Sequence, residues 1–161
     1  MDIRFDGKII VISGGSTGIG EATVKNFLES GGTVIFTGIE KPDCLDFTKY
    51  QNYQGKYDYK QLEVTNEEEV KNFTLYINEK YHGCDVLFNN AGLAKGLVKL
   101  YEDEVENWDV MIDTNIKGLL YVTKCVLPLM LERKKGHIIN MGSIAGRNPY
   151  TKGAVYCATK H

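Results

Sequence analysis

A tyrosine and a lysine lie four residues apart near the end of the sequence, as Tyr156 and Lys160. Residues at this spacing share one face of a helix, one turn apart. An ammonium held beside a phenol favours the phenolate form, which makes the phenol a proton donor and acceptor suited to neutral pH. Because most such pairs on helices are solvated surface pairs, this one indicates catalysis only together with other motifs.

Three other motifs accompany the pair. The stretch SGGSTGIG (residues 13–20) and the stretch NNAG (residues 89–92) each follow an apolar segment, and Ser143 lies thirteen residues before Tyr156. A glycine-rich turn between a strand and a helix lets the backbone approach a pyrophosphate, whose oxygens the free N–H groups of the helix then bind. No Gly-Lys-Ser/Thr follows the glycines, which excludes a phosphate-loop NTPase. We therefore expect a dinucleotide site here.

The composition excludes several classes of function. The sequence has 161 residues, 43% hydrophobic and 25% charged, which is typical of one globular domain. Its net charge of -2 gives no electrostatic reason to expect a nucleic acid or an anionic membrane as partner. The apolar runs are too short to span a bilayer. The three histidines have no metal-ligand spacing, so no metal site is expected.

Four cysteines are spread along the chain without Cys-x-x-Cys spacing: Cys44, Cys84, Cys125 and Cys157. Four cysteines can form a disulfide framework in a secreted protein, but the sequence opens with MDIR and has no apolar signal segment. We therefore expect free thiols in a cytoplasmic protein.

Apolar stretches alternate with helical patterns, which favours strand–helix–strand units and a parallel sheet. The predicted strands are residues 8–13, 33–37, 57–64, 85–89 and 137–141, and the predicted helices are residues 19–30, 65–81 and 108–131. Thr65 is expected to cap the second helix, with Glu68 completing a capping box. Pro128 is expected to interrupt the third helix. The polar, tyrosine-rich residues 43–54 suggest no more than a short helix and a loop.

In this combination and order, the glycine stretch, NNAG, Ser143 and YCATK resemble the short-chain dehydrogenase/reductase family in its single-domain form. The resemblance implies an α/β fold: a Rossmann-like doubly wound parallel sheet in three αβα layers, with residues 1–161 as one dinucleotide-binding and catalytic domain. Family members continue beyond this point through further strands and a substrate loop. The resemblance therefore implies roughly the N-terminal two thirds of the family fold, without its C-terminal strands.

The resemblance also implies a catalytic set of four residues. Tyr156 would exchange a proton with the substrate oxygen while a hydride moves between a nicotinamide and the carbinol carbon. Ser143 would hydrogen-bond that oxygen. Lys160 would hold the nicotinamide ribose, and Asn115 would fix a water that connects Lys160 to solvent. Taken singly, Ser143 could be a helix cap, Asn115 a polar residue in mid-helix and Lys160 a surface charge.

The implied cofactor is NAD or NADP, and the residue types do not decide between them. A carboxylate near the end of the second strand would hold a ribose 2′-hydroxyl, and an arginine there a 2′-phosphate. Gly38 takes the acidic position and Ile39 the arginine position, followed by Glu40 and Lys41 with opposite charges. If Glu40 points at the adenosine ribose, NADP should bind less well than NAD.

The family places an Asp-Val-Thr contact to the adenine where this chain has Glu63, Val64 and Thr65. Glu63 is longer than Asp, so it either makes a displaced contact or is a surface residue at a strand end. The cofactor-binding residues that the resemblance implies are Gly14, Ser16, Thr17, Gly18, Ile19, Gly20, Gly38, Glu63, Val64, Asn90, Ala91, Gly92, Tyr156 and Lys160.

A finer resemblance concerns the substrate. Residues 89–96, 111–123, 136–150 and 155–160 look like the NADP-dependent serine/3-hydroxy acid dehydrogenase subfamily, which implies oxidation of small 3-hydroxy acids or the reverse reduction. The implied partners are a small alcohol or carbonyl substrate and, in the full-length form, the other subunits of a homodimer or homotetramer.

Two further hypotheses stay open from the residues alone. A chain that stops before the substrate loop can be a catalytically inactive dinucleotide-binding fragment. The Tyr-x-x-x-Lys pair also occurs in extended-family sugar epimerases, which NNAG and the glycine spacing disfavour.

Overall fold

The protein is described by a computed structural model that covers residues 3–161. Its sheet has five strands: β1 Ile9–Ser13, β2 Thr33–Gly38, β3 Tyr57–Gln61, β4 Val86–Asn89 and β5 His137–Asn140. The strands are parallel and lie in the order β3-β2-β1-β4-β5. The central β1 lies between β2 and β4, so the strand order changes direction at β1. In such sheets a ligand binds beside the carboxyl ends of the strands at that point.

Helices cover both faces of the sheet. They are α1 Gly18–Glu29, α2 Glu67–Tyr81, α3 Val105–Ile112, α4 Leu119–Glu132 and α5 Ala154–Lys160. A π-helical turn, Asp113–Gly118, joins α3 to α4, so residues 105–132 form one continuous helical segment. Pro128 lies inside α4, which continues to Glu132, so the expected interruption is wrong.

The centre of the sheet is buried on both faces because β1, β2 and β4 are apolar at successive positions. Val11 packs on one face in a cluster that includes Val70 of α2 and Val122 of α4. Ile10 packs on the other face with residues that include Val24 of α1. This arrangement has the three αβα layers expected of a parallel sheet whose central strands are apolar.

Asn66 caps α2, so the prediction of Thr65 with Glu68 is wrong by one residue. Asn66 Oδ1 accepts hydrogen bonds from the backbone N–H groups of Glu68 and Glu69 at 3.1 and 3.2 Å. Its Nδ2 donates to Glu69 Oε1 at 2.8 Å. An asparagine amide offers both an acceptor and a donor at this position, whereas a threonine hydroxyl would have to share one oxygen.

The third strand is shorter than residues 57–64. It ends at Gln61 because the chain then turns, with the N–H of Asn66 donating to the carbonyl of Glu63 at 3.0 Å. The Glu63 carboxylate accepts from the N–H of Thr65 at 3.2 Å, which stabilises the turn. The tyrosine-rich segment before this strand contains two 3-10 turns, Pro42–Cys44 and Thr48–Tyr53.

No helix within residues 3–161 is long and apolar enough to cross a membrane. In the same part of the chain, no three histidine, cysteine, aspartate or glutamate side chains lie together as metal ligands would. All four cysteines are free thiols.

Candidate functional site

A cleft with a volume of about 590 Å³ opens at the carboxyl edge of the sheet. Its wall combines the glycine stretch after β1, the segment after β2, the NNAG segment after β4, residues 141–143 after β5, and two side chains of α5. Because the carboxyl ends of parallel strands meet at one edge, motifs far apart in the sequence share this cleft.

Every residue that the sequence predicts for the site lies on the cleft wall except Gly20 and Asn115, which lie directly behind it. The predicted residues on the wall are Gly14, Ser16, Thr17, Gly18, Ile19, Gly38, Glu63, Val64, Asn90, Ala91, Gly92, Ser143, Tyr156 and Lys160.

The backbone of the glycine stretch packs closely against the NNAG segment. Gly14 has φ +65°, and a Cβ there would lie 2.8 Å from Ala91 Cα. A Cβ on Gly20 would collide with the carbonyl oxygen of Gly14 and lie 2.6 Å from Asn90 Nδ2. That amide nitrogen donates to the same Gly14 oxygen at 2.7 Å. The close approach therefore requires glycine at both positions.

The first turn of α1 faces the cleft through Thr17, Gly18 and Ile19. Thr17 is the N-cap, and its side chain makes no capping hydrogen bond. The first N–H groups of a helix have no partner within the helix, and the helix dipole makes this end electropositive. An anion such as a pyrophosphate is the ligand that suits this end of the cleft.

Hydrogen bonds join the segments that form the wall. Ser13 Oγ accepts from the backbone N–H groups of Asn90 and Ala91 at 3.1 and 3.2 Å, which fixes the end of β4 to the end of β1. Asn89 Nδ2 donates to Asn140 Oδ1 at 2.9 Å and to Thr123 Oγ1 at 2.8 Å. These bonds hold β4 to β5 and to α4, so the positions of NNAG and residues 141–143 are coupled.

Tyr156 and Lys160 lie on α5 and both reach the cleft. Lys160 Nζ donates to the carbonyl oxygen of Met141 at 3.2 Å. A Cβ on Gly92 would lie 3.3 Å from the same Nζ, so the ammonium is held between the end of β5 and NNAG. Burial lowers the pKa of Lys160.

Ser143 is both a cap and a cleft residue. Its Oγ accepts from the N–H of Ala145 at 3.2 Å, at the start of the short 3-10 turn Ile144–Gly146. A serine hydroxyl that accepts one hydrogen bond can still donate its proton. Since the side chain lines the cleft with Tyr156, Ser143 can donate to a substrate oxygen there.

Asn115 lies in the π-helical turn, with 4% of its surface exposed. Its Oδ1 accepts from the N–H of Leu93 at 2.8 Å, and its Nδ2 donates to the Leu93 carbonyl at 2.9 Å and to Thr159 Oγ1 at 2.9 Å. Its side chain therefore holds Leu93, directly after NNAG, to α5 from behind the cleft.

Sequence reasoning missed Thr159. Its Oγ1 accepts from Asn115 and donates to the carbonyl oxygen of Tyr156 at 2.8 Å. The available signal was its position, directly before Lys160 and three residues after Tyr156. It also missed wall residues that contribute apolar surface or backbone, namely Leu62, Leu93, Ala94, Thr114, Met141 and Gly142.

The family model described as short chain dehydrogenase matches residues 8–161 of this chain. Among curated proteins, the NADP-dependent 3-hydroxy acid dehydrogenase YdfG of Salmonella typhi is 43% identical over 152 residues, which are 94% of this chain and 60% of that protein. The chain thus spans about 60% of the length of these curated relatives.

Two solved structures extend the comparison. The closed form of serine dehydrogenase complexed with NADP+ has a TM-score of 0.87 and 39% identity, over 94% of this chain and 60% of that one. The structure of ElxO with NADP bound has a TM-score of 0.91 and 32% identity, over 96% of this chain and 62% of that one. The fold described above is thus that of the serine dehydrogenase structure.

Proposed function

Because the chain belongs to the short-chain dehydrogenase/reductase family, we propose that it is an oxidoreductase that transfers a hydride between NAD(P) and the carbinol or carbonyl group of a small substrate. One observation carries the proposal: Ser143, Tyr156 and Lys160 lie on the wall of the same cleft as the glycine stretch. An acid/base group and an oxygen-binding group beside a dinucleotide site are the parts that hydride transfer to a carbonyl requires.

The cleft suits a dinucleotide in three ways. The glycine stretch and NNAG lie so close together that neither Gly14 nor Gly20 has room for a Cβ, which leaves backbone for the pyrophosphate to approach. The uncapped start of α1 offers N–H groups to the phosphates. Lys160 offers an ammonium to the ribose at the opposite end, near Gly92 and Met141. When bound, the nicotinamide ring supplies or accepts the hydride.

The chain's own residues supply the proton chemistry. Tyr156 would donate its hydroxyl proton to the carbonyl oxygen during reduction and recover it from the hydroxyl during oxidation. Ser143 would donate a hydrogen bond to the same oxygen and stabilise the negative charge that develops on it. The Lys160 ammonium, held by Met141, would keep positive charge beside the phenol and favour proton transfer.

We propose small 3-hydroxy acids as the substrate class. The support is the similarity to proteins named NADP-dependent 3-hydroxy acid dehydrogenase and serine dehydrogenase. The same comparisons favour an oxidoreductase over the alternative of a dinucleotide-binding module without turnover.

Absorbance of reduced nicotinamide separates these two functions. The chain is mixed with NAD+ or NADP+ and then with L-serine or 3-hydroxypropanoate. We expect a cofactor-dependent rise in absorbance only when the hydroxy acid is present. Nucleotide binding with no substrate-dependent change would select the binding module, and absence of both would contradict the proposal.

We further propose that residues 1–161 act as one dinucleotide-binding and catalytic domain, in the cytoplasm and in a homo-oligomer. The four free cysteines suit a reducing compartment.

An apolar groove between the π-helical turn and α5, lined by Leu100, Ile112, Ile116 and Val155, offers a surface for a second subunit. Light scattering of the purified protein tests the assembly, since a monomer at all concentrations would contradict it.

A further inference from the structure

A carboxylate beyond the end of β2 is hydrogen-bonded to the glycine stretch. Ser16 Oγ donates to Glu40 Oε2 at 2.6 Å, and both residues line the cleft. Ser16 is buried, with 7% of its surface exposed. The pair therefore belongs to the wall of the cleft, at the adenosine end that the β2 segment forms.

The segment that carries Glu40 is fixed by side chains of β3. Tyr59 donates its hydroxyl to the Glu40 carbonyl oxygen at 2.6 Å, and Gln61 Nε2 donates to the Ile39 carbonyl oxygen at 3.0 Å. Burial and then the charge of Glu40 raise the pKa of Tyr59 to about 12, so this hydroxyl remains a donor at neutral pH. The carboxylate is therefore presented from an anchored backbone.

Gly38 makes room for this pair. A Cβ at Gly38 would lie 2.6 Å from Glu40 Oε2 and would collide with Ser16 Oγ. The space that a side chain at position 38 would fill is thus occupied by the Ser16–Glu40 hydrogen bond. The glycine at the expected acidic position does not leave the cleft without a carboxylate, because Glu40 supplies one two residues later.

We infer that Glu40 makes this chain select NAD over NADP. The inference rests on the proposed dinucleotide function and concerns the cofactor's 2′ position. Within residues 3–161, Ser16 is the one hydrogen-bond partner of the Glu40 carboxylate, at Oε2. Oε1 can therefore accept a hydrogen bond from a ribose hydroxyl. A 2′-phosphate at the same place would meet a like charge.

The Ser16 hydroxyl, which could donate a hydrogen bond to a 2′-phosphate, already donates to Glu40. The Ser16 hydroxyl has one proton, and that proton is donated to Glu40. Lys41 is exposed and lies outside the cleft wall. Among the described wall residues, Lys160 is the one lysine or arginine, and it lies at the other end beside Met141. The adenosine end of the cleft therefore carries the negative charge of Glu40 and no lysine or arginine. This charge disfavours NADP, the cofactor bound in the serine dehydrogenase structure.

Binding of reduced cofactors to the 161-residue chain tests the inference without any turnover. Nicotinamide fluorescence is titrated with NADH and, separately, with NADPH. We expect NADH to bind at least about tenfold more tightly. Glu40→Gln keeps the size of the side chain and removes its charge, and it should bring the two dissociation constants within about threefold of each other.

Asp43→Asn is the matched control, because it removes a carboxylate from an exposed residue outside the wall. It should leave the preference for NADH unchanged. NADPH binding as tightly as NADH to the unsubstituted chain, or an unchanged ratio in Glu40→Gln, would overturn the inference while leaving the proposed function in place. Failure of both nucleotides to bind would contradict the proposed function and the inference together.

Discussion

Asn115 Nδ2 lies 2.9 Å from Thr159 Oγ1, and this hydrogen bond joins the π-helical turn to the helix that carries Tyr156 and Lys160. Thr159 in turn donates to the Tyr156 carbonyl oxygen at 2.8 Å. Asn115 also holds Leu93 through both of its amide atoms. Because these bonds connect Asn115 to the Tyr156–Lys160 helix through Thr159, we expect Asn115 to act as a positioning residue.

Thr159→Val should impair catalysis while leaving nucleotide binding intact. Valine keeps the branched shape and removes the hydroxyl. Asn115 then loses a hydrogen-bond acceptor, and α5 loses its hydrogen bond to the π-helical turn. We expect kcat to fall by roughly tenfold, since small displacements of reacting groups are costly. Thr159→Ser keeps the hydroxyl and should retain most of the activity. Equal loss in the two variants, measured by steady-state kinetics and cofactor titration, would assign Thr159 a packing role only.

Asp58 should stabilise the fold in a pH-dependent way. Its Oδ2 accepts hydrogen bonds from Tyr76, from Lys80 at 2.8 Å and from Tyr81 at 3.0 Å, which fasten β3 to α2. Burial alone would raise the pKa of Asp58, but the bonds from Lys80, Tyr76 and Tyr81 lower it below 3.8. The stabilisation by Asp58 is thus fully present above its unfolded-state pKa of 3.8 and is lost as the pH falls through its lower folded-state pKa.

We expect Asp58→Asn to lower the free energy of unfolding at neutral pH by about 1–2 kcal/mol, because the donors keep a weaker, uncharged acceptor. Urea unfolding at pH 7 and at pH 3 measures this. The difference between the two proteins should shrink at the lower pH. Glu79→Gln, on the exposed face of α2, is the control and should have little effect. A difference that is the same at both pH values would show that the charge of Asp58 does not matter.

Gly20→Ala should damage the nucleotide site more than Gly18→Ala. A Cβ at Gly20 collides with the Gly14 backbone, which cannot move without displacing NNAG. A Cβ at Gly18 meets nothing within 4 Å, and its cost is the positive φ of 56°. That conformation costs a non-glycine residue roughly 1–2 kcal/mol. Thermal melts and NADH titration compare the variants, and equal losses would contradict the packing described for Gly20.

Much of the fold follows from the sequence because its determinants are local. Apolar runs bounded by glycine or polar residues place the five strands correctly to within a few residues. The exact ends depend on side-chain competition that the pattern does not show. Asn66 takes the cap from Thr65, and the turn at Glu63 ends β3 early. The π-helical turn at Asp113–Gly118 likewise has no periodic signature in the sequence.

The site likewise has a part that the sequence predicts and a part that it does not. The predicted cofactor-site glycines and catalytic side chains are conspicuous by type and spacing, and the structure brings all of them except Gly20 and Asn115 to the wall of one cleft. The Ser16–Glu40 and Asn115–Thr159 hydrogen bonds connect residues that are 24 and 44 positions apart. No local pattern signals such contacts, since they depend on how the sheet edge and the helices pack.

Tyr156→Phe tests the central claim, that Tyr156 is the acid/base group of a hydride-transfer site. The ring remains and only the transferable proton is lost. We therefore expect kcat with a 3-hydroxy acid to fall at least about a hundredfold, while the dissociation constant of the reduced cofactor changes by less than about threefold. Retention of more than a few per cent of kcat, with cofactor binding unchanged, would remove Tyr156 from that role and contradict the proposed mechanism.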